Sequence, residues 1–403
     1  SQPVRLINDL QSMSINIAHL ERQLLPLLII IFGIILRFKL GSNEKFTIIK
    51  QIYQYALLPS TIFVSLTKLT MNSSALIWPG FGLLYNVTLF CTLRLICKVS
   101  LPRHLQDQTL NMICLEACNI APGLSSWAFI DLLQNPEIKG LLAFADFGNK
   151  IFAIFITRAI CYGLVRKSLS GDGSITSKLK IVRKISSTFF SEPVSIACIL
   201  GLIFSMFSLS CIQIRFLCPA IDRVSKATLP VLLLYIGIKI QVPSIDQIFI
   251  MSLLIARSGI GLLFAAVASI ITPFDDEQFL GLILVFQSCC GYMPLASMGS
   301  VAEELDDEDD VREEDIFHLG TPNELLTLSF PISIMILTVI NFFGDWFIII
   351  RNLVSVGSSF LVLGSAGIII VSRLKKDFSW KKDEINEMIV TPKKKSRTLL
   401  RTS

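Results

Sequence analysis

Two short stretches of the sequence place proline, glycine and small polar residues inside long apolar segments. They are Cys118–Ser126 and Gln287–Ser297. Proline lacks a backbone donor and interrupts a helix, while glycine permits close approach of other groups. Unwound backbone at membrane depth must be buried in protein or line a wet cavity. Each stretch therefore predicts a binding site, in which the N-terminal ends of the following half-helices favour an anion such as a carboxylate.

Side chains in these stretches add hydrogen-bonding groups to the free backbone. The candidate substrate-binding residues are Asn119, Pro122, Gly123, Ser125, Gln287, Ser288, Gly291, Pro294 and Ser297. Charged residues inside apolar spans are costly, and most are functional or paired. Glu116 and Arg257 are a candidate coupling or charge pair, in which Glu116 titrates or binds a cation and Arg257 is its counter-charge or a substrate contact. A structural salt bridge is the alternative for both, and for Asp146, Lys150 and Arg158.

The composition predicts a polytopic membrane protein. Of 403 residues, 52% are hydrophobic and 17% charged, and the mean hydropathy is +0.65. A soluble chain is nearer a quarter charged. The net charge of +5 comes mostly from the C-terminal tail, so the sequence does not favour nucleic-acid binding.

The sequence offers little to an enzyme. The ten cysteines lie almost all in apolar runs, the three histidines are scattered, and no zinc-binding spacing or ATP-binding motif occurs. We therefore predict no catalytic residues, no metal site and no cofactor. An intramembrane enzyme is the weakest of the functions considered.

Apolar runs of about 20 residues predict transmembrane helices. The predicted spans are 24–40, 48–67, 75–97, 107–133, 140–165, 190–212, 219–240, 245–272, 277–303 and 323–345, with an eleventh candidate at 352–372. Basic residues are concentrated in alternate loops and in the tail, which predicts an outer N-terminus and a cytoplasmic C-terminal tail.

These spans divide the chain into six segments. They are an N-terminal lead-in (1–23), a first five-helix repeat (24–166), a basic cytoplasmic linker (167–189), a second five-helix repeat (190–350), an extra helix (351–373) and a basic tail (374–403). The second repeat includes an acidic loop at 303–315, which we interpret as solvated. The tail is expected to lie near anionic lipid head groups.

Proline spacing indicates the internal repeat. Pro59 and Pro230 each precede a lysine by nine positions. Pro26 and Pro193 open the first span of each half, and Pro122 and Pro294 interrupt the fourth. The three pairs are separated by nearly the same length of chain. Because five spans per half is an odd number, the second copy must be inverted, as in many secondary transporters. Ordinary proline kinks in an unrelated bundle are the alternative.

Four stretches of the second half carry a family resemblance, namely Glu192–Gly201, Ala227–Gly237, Gln287–Pro294 and Ala302–Glu304. Through them the sequence resembles the auxin efflux carrier family of membrane permeases, and the resemblance covers about residues 20–345. The bile acid–sodium symporters share that fold more distantly. The chain departs from the family at the first crossover, where Pro122 follows Asn119 by only three positions.

This resemblance implies an all-α transmembrane fold of ten core helices. They would form two inverted five-helix repeats with discontinuous crossover helices 4 and 9, and the eleventh helix would be an addition. Spans 1, 2, 6 and 7 would form a scaffold beside a moving domain of spans 3–5 and 8–10. Substrate would bind at the crossover around Pro122 and Pro294.

We expect a secondary transporter that moves a small organic anion by alternating access. The alternatives are a transporter-fold sensor or scaffold without transport, and an ion-coupled symporter of larger amphipathic acids. The expected partners are the anion, a coupling proton or sodium ion, and membrane lipid; a homodimer is left open. A plasma membrane (the inner membrane in bacteria) or a chloroplast envelope would fit as the location.

Overall fold

The fold is helical throughout the part of the chain that the structure describes. This computed structural model describes residues 28–39, 47–71, 75–100, 107–130, 133, 135–161, 190, 192–207, 217–239, 247–291 and 320–377. Within those ranges the only extended pairing is one isolated antiparallel bridge, between Ile120 and Cys290. The all-α prediction is confirmed. The lead-in, the linker, the acidic loop and tail residues 378–403 lie outside the described residues.

The structure describes five main helices in the first half of the chain. They are α1 (28–39), α2 (Thr47–Ile52 and Leu58–Thr67, joined by a π-helical turn at Tyr53–Leu57), α3 (Ile77–Ser100), α4 (Asp107–Cys118) and α5 (Pro136–Ile151, continued by a π-helical turn at Phe152–Thr157). Between α4 and α5 lie a 3₁₀ turn at Pro122–Leu124 and a single helical turn at Trp127–Ile130.

Within the described residues, the second half of the chain has seven main helices. They are α6 (Pro193–Met206), α7 (Leu217–Lys226), α8 (Thr228–Lys239), α9 (Ile248–Ile271), α10 (Asp276–Phe286), α11 (Gly320–Phe342) and α12 (Ile350–Asp377). A short helix at Gly344–Ile348 separates α11 from α12. Every predicted span contains described helix. The predicted seventh span is divided at Ala227 into two helices.

Capping residues explain where two of these helices begin. The Asn135 side chain accepts a hydrogen bond from the Glu137 amide at 3.0 Å, and Pro136 occupies the first helical position. The fifth helix therefore starts earlier than the predicted residue 140. At α10, Asp275 and Gln278 form a reciprocal capping box, with bonds of 2.7 and 3.3 Å.

Glycines allow close helix crossings between the two halves. α1 crosses α8 where Gly33 meets Gly237: a Cβ on Gly33 would lie 2.5 Å from the Leu234 carbonyl oxygen. α6 crosses α2 where a Cβ on Gly201 would lie 2.8 Å from the Leu66 Cβ. Only glycine fits such contacts without moving the backbones apart.

Four helices are long and apolar enough to cross a membrane, among the described residues. They are Ile77–Ser100, Pro136–Cys161, Ile248–Ile271 and Ile350–Val371; Pro193–Met206 and Leu328–Phe342 are shorter apolar helices. Large apolar side chains face outward on them, including Ile270 at 72% exposure and Val362 at 66%. An exposed apolar surface of this kind requires lipid or protein cover. The chain is thus consistent with an all-α membrane protein.

Candidate functional site

Two helices end abruptly at the places where the sequence predicts interruptions. α4 ends at Cys118, after which the backbone is non-helical until Pro122 starts the 3₁₀ turn. α10 ends at Phe286, and residues 288–291 are likewise non-helical. The described residues end there, so the continuation through Pro294 and Ser297 lies outside them.

The two interrupted segments cross and pair with each other. The Ala121 amide donates to the Cys289 carbonyl at 2.9 Å, and the Gly291 amide donates to the Asn119 carbonyl at 2.6 Å. These bonds flank the antiparallel bridge between Ile120 and Cys290. Backbone groups that the helix ends leave without intrahelical partners are satisfied by the opposite segment, as burial requires.

Arg257 of α9 joins the C-terminal ends of both interrupted helices. Its Nε donates to the Ala117 carbonyl at 2.8 Å, and its Nη2 donates to the Ser288 carbonyl. The side chain is only 1% exposed. The C-terminal end of a helix has partial negative charge, so a cation between two such ends stabilises both. The hydrogen bonds described for Arg257 all go to backbone carbonyls.

Side chains from the surrounding helices fix the second break. The Tyr85 hydroxyl donates to the Phe286 carbonyl at 2.8 Å. The side-chain amide of Gln287 donates to the Ser258 carbonyl at 3.1 Å. The Cys290 amide donates to the Ser329 hydroxyl at 3.1 Å. The break is thus held by α3, α9 and α11.

Asn149 of α5 fixes the first break in a similar way. Its amide nitrogen donates to the Ile120 carbonyl at 2.8 Å and to the Asp146 carboxylate at 3.0 Å. Its amide oxygen accepts from Asn86 at 2.9 Å. The Asn119 amide in turn donates to the Thr157 hydroxyl at 2.9 Å, within the π-helical turn of α5.

A cavity of about 280 Å³ opens beside the first break. Its walls come from α2, the crossing segments, α5 and the start of α6. The residues that line it are Gln54, Tyr55, Leu58, Asn119, Ile120, Ala121, Pro122, Gly123, Asp146, Asn149, Lys150, Ala153, Glu192, Pro193, Val194 and Gly291. This volume is near the lower end of the roughly 300–1,000 Å³ that is common for ligand pockets.

Three charged residues face this cavity. The Lys150 Nζ lies 2.9 Å from the Glu192 Oε1, with the two side chains 18% and 19% exposed. The Ser195 hydroxyl donates to the other Glu192 oxygen at 2.7 Å. Asp146 lies one helical turn before Lys150 on α5 and is 3% exposed. The walls thus combine two carboxyl groups and one ammonium group with apolar surface.

The cavity contains four of the nine candidate substrate-binding residues. They are Asn119, Pro122, Gly123 and Gly291. Ser125, Gln287 and Ser288 are buried in the crossing itself instead. The Ser125 hydroxyl accepts from the Cys289 amide at 2.9 Å, and Ser288 shares a hydrogen bond of 2.7 Å with Ser126.

The candidate coupling pair lies outside the cavity lining. Glu116 is fully buried on α4, two positions before that helix ends. Arg257 is buried at the carbonyls of the crossing. Their roles in coupling remain predictions.

Three polar side chains of the cavity wall, Gln54, Tyr55 and Glu192, were not predicted as site residues from the sequence. Gln54 and Tyr55 lie in the π-helical turn of α2, and such turns occur often at functional sites. Glu192 was noted only as part of a resembling motif. The Glu192–Pro193 pair at the start of α6 is the local sequence feature that could have identified Glu192. Its ion-pair partner, Lys150, is 42 residues away along the chain, so the pair could not be predicted.

No protein-family model matches the chain, and no curated protein matches it.

Proposed function

We propose that this protein is a secondary transporter that moves a small organic anion across a membrane by alternating access. The observation that carries the proposal is the cavity at the crossing of two interrupted helices. Unwound backbone at this depth is tolerated where it is buried in protein or lines a cavity, and here the crossing does both. In transporters such crossings position substrate near the bilayer midplane.

The register of the bridge supports an inverted repeat. Ile120 pairs with Cys290, and their separation along the chain lies between those of the paired prolines, from Pro26–Pro193 to Pro122–Pro294. An unrelated crossing could pair at any separation. The agreement favours two copies related by a two-fold axis.

Reciprocal helix contacts support the same arrangement. α1 packs on α8 and α6 packs on α2, which are the first helix of each half against the second span of the other. α10, in the fourth span of the second half, packs on α5, in the fifth span of the first half. α11, in the fifth span of the second half, packs on α4, in the fourth span of the first half. Asn149 and Ser329 lie in the fifth span of their respective halves. Each forms a hydrogen bond with the backbone of the break in its own half, at Ile120 and Cys290.

The cavity size favours small substrates over larger amphipathic acids. At about 280 Å³ it suits a compact carboxylic acid better than a sterol-sized one. The resemblance to auxin efflux carriers points to the same substrate class. Membership of that family, and a location in a plasma membrane or chloroplast envelope, are parts of this proposal.

Counterflow in proteoliposomes tests the proposal. The purified protein would be loaded with unlabelled acid and assayed for uptake of radiolabelled lactate, benzoate and taurocholate, with protein-free liposomes as control. We expect saturable exchange of lactate or benzoate and none of taurocholate. Saturable binding without exchange would instead indicate a sensor, and exchange of taurocholate alone would indicate the symporter of larger acids.

A further inference from the structure

We propose that Lys150 binds the carboxylate of the transported acid, and that Glu192 takes the place of that carboxylate when the cavity is empty. This inference rests on the proposed transport function and assigns the anion-binding group within it. The substrate class is a compact monocarboxylate whose apolar body contacts Leu58, Ala153 and Val194.

Lys150 is the only cationic residue among the described residues that line the cavity. Arg257 is 1% exposed and donates to two backbone carbonyls, so it is not accessible to a substrate in this conformation. An organic anion in the cavity therefore finds its counter-charge at Lys150. A buried anion without such a partner would be strongly disfavoured.

The pair between Lys150 and Glu192 can open at the cavity. Both side chains retain nearly a fifth of their exposure, in contrast to the fully enclosed Arg257. Glu192 does not depend on Lys150 alone, because the Ser195 hydroxyl donates to its second oxygen. It can therefore release Lys150 and remain stabilised.

Charge balance links this exchange to a proton. The cavity has two carboxyl groups and one ammonium group, so an added anion would leave an excess of negative charge in a medium of low dielectric. Uptake of one proton by Glu192, as it releases Lys150, returns the net charge of the cavity to its value before the anion binds. The titratable and charged groups described around Glu192 are Asp146 and Lys150 of α5 and Cys198 of α6, and Tyr55 of α2 lines the same cavity.

Binding of radiolabelled benzoate to the purified protein, measured across the pH range around neutrality, tests the inference. Glu192→Gln keeps a partner for Ser195 but removes the competing charge. We expect it to bind benzoate more tightly than the wild type, with a flatter pH dependence. The wild type should bind more tightly as the pH falls. Lys150→Gln should weaken binding by about tenfold or more, as for a lost charge-assisted hydrogen bond.

Two further variants control the result. Lys150→Arg keeps the cation and should retain most of the binding. Lys226→Gln removes a surface lysine that pairs with Asp222 at 2.7 Å and is 74% exposed, and it should bind as the wild type does. If Lys150→Gln does not fold, Glu192→Gln decides alone.

Unchanged or weaker binding in Glu192→Gln would overturn the inference, as would unchanged binding in a folded Lys150→Gln. The proposed function fails separately, because it requires the wild type to exchange at least one small acid. Wild-type counterflow of benzoate, together with Lys150→Gln binding like the wild type, would leave transport standing and remove only the assignment of Lys150.

Discussion

At the scale of single residues, Arg257 has the most demanding position in the molecule. A guanidinium group with 1% exposure is stable only where its hydrogen bonds are satisfied, and the two helix ends provide acceptors of partial negative charge. The same bonds hold the two breaks at a fixed separation. Arg257 is therefore a positioning residue for the crossing.

Removing this guanidinium should destabilise the protein. Arg257→Gln leaves the Ala117 and Ser288 carbonyls without a charged donor, and we expect a loss of about 2–4 kcal/mol of stability. Thermal unfolding of the detergent-solubilised protein measures it, with the exposed Arg223→Gln as control. Equal stability of the two variants would contradict this role.

Two carboxyl groups, the half-buried Glu192 and the fully buried Glu116, give different predictions about the pH dependence of transport. Glu192 faces the cavity, whereas Glu116 is buried on α4 outside its lining. If the proton goes to Glu192, Glu192→Gln should flatten the pH profile of counterflow, and Glu116→Gln should shift its magnitude without changing its shape. A flat profile in Glu116→Gln alone would assign coupling to Glu116, as the sequence suggested.

At the scale of helices, apolar runs and prolines predicted much of the arrangement. The runs located helix in every span, and Pro122 marked the first break. Proline alone does not end a helix, since Pro331 lies inside α11. The π-helical turns at Tyr53–Leu57 and Phe152–Thr157 were not predictable, since they depend on tertiary packing. The end of α12 at Asp377, beyond the predicted 373, shows how far charged residues extend a helix past its apolar run.

The candidate site was predictable only in part for the same reason. The breaks are local features of the sequence, and four of the site residues predicted within them line the cavity. The ion pair between Lys150 and Glu192 is a long-range contact across the linker, and no periodicity encodes it. Ser125, Gln287 and Ser288 have the residue types of a binding site, but their polar groups are used within the crossing.

The packing of α3 against α5 gives a test at this scale. A Cβ on Gly82 would lie 3.0 Å from the backbone nitrogen of Asn149 and would clash with the Ala145 carbonyl oxygen. A Cβ on Gly80 would meet nothing within 4 Å. We expect Gly82→Ala to lower the thermal unfolding midpoint. Gly80→Ala, in the same helix, should leave stability unchanged or raise it by the greater helix propensity of alanine, up to about 1 kcal/mol. The reverse order would contradict the described crossing.

At the scale of the whole molecule, the distribution of polarity is that of a membrane protein. Polar and charged side chains such as Asn86, Glu116 and Arg257 are buried, while large apolar side chains face outward. The last helix, α12, packs along α9 through Gly357 and Gly364 and exposes Val362 and Leu363. It is the described helix whose role the repeat does not explain.

Glycosylation mapping tests whether α12 spans the bilayer. With an outer N-terminus and eleven spans, an acceptor site placed in the C-terminal tail should remain unmodified in microsomes. Val362→Asp with Leu363→Asp should prevent insertion of α12, since each acid costs about 2.5–3.5 kcal/mol at a helix centre, and should expose the tail to modification. Asn352→Asp, near the helix end, is the control. A tail modified in the unaltered chain would contradict the predicted topology.

The crossing of the two interrupted helices is the central claim, and a disulfide cross-link tests it most directly. In an antiparallel pair of this register the Cα atoms are about 4.5 Å apart, within disulfide range. Ile120→Cys would be introduced into a chain whose only other cysteine is Cys290, with a protease site in the 167–189 linker. After oxidation in membranes and cleavage, we predict that the two halves stay joined until reduced, whereas Ile130→Cys leaves them separate. Halves of the Ile120→Cys protein that separate under oxidising conditions would contradict the crossing and the site built on it.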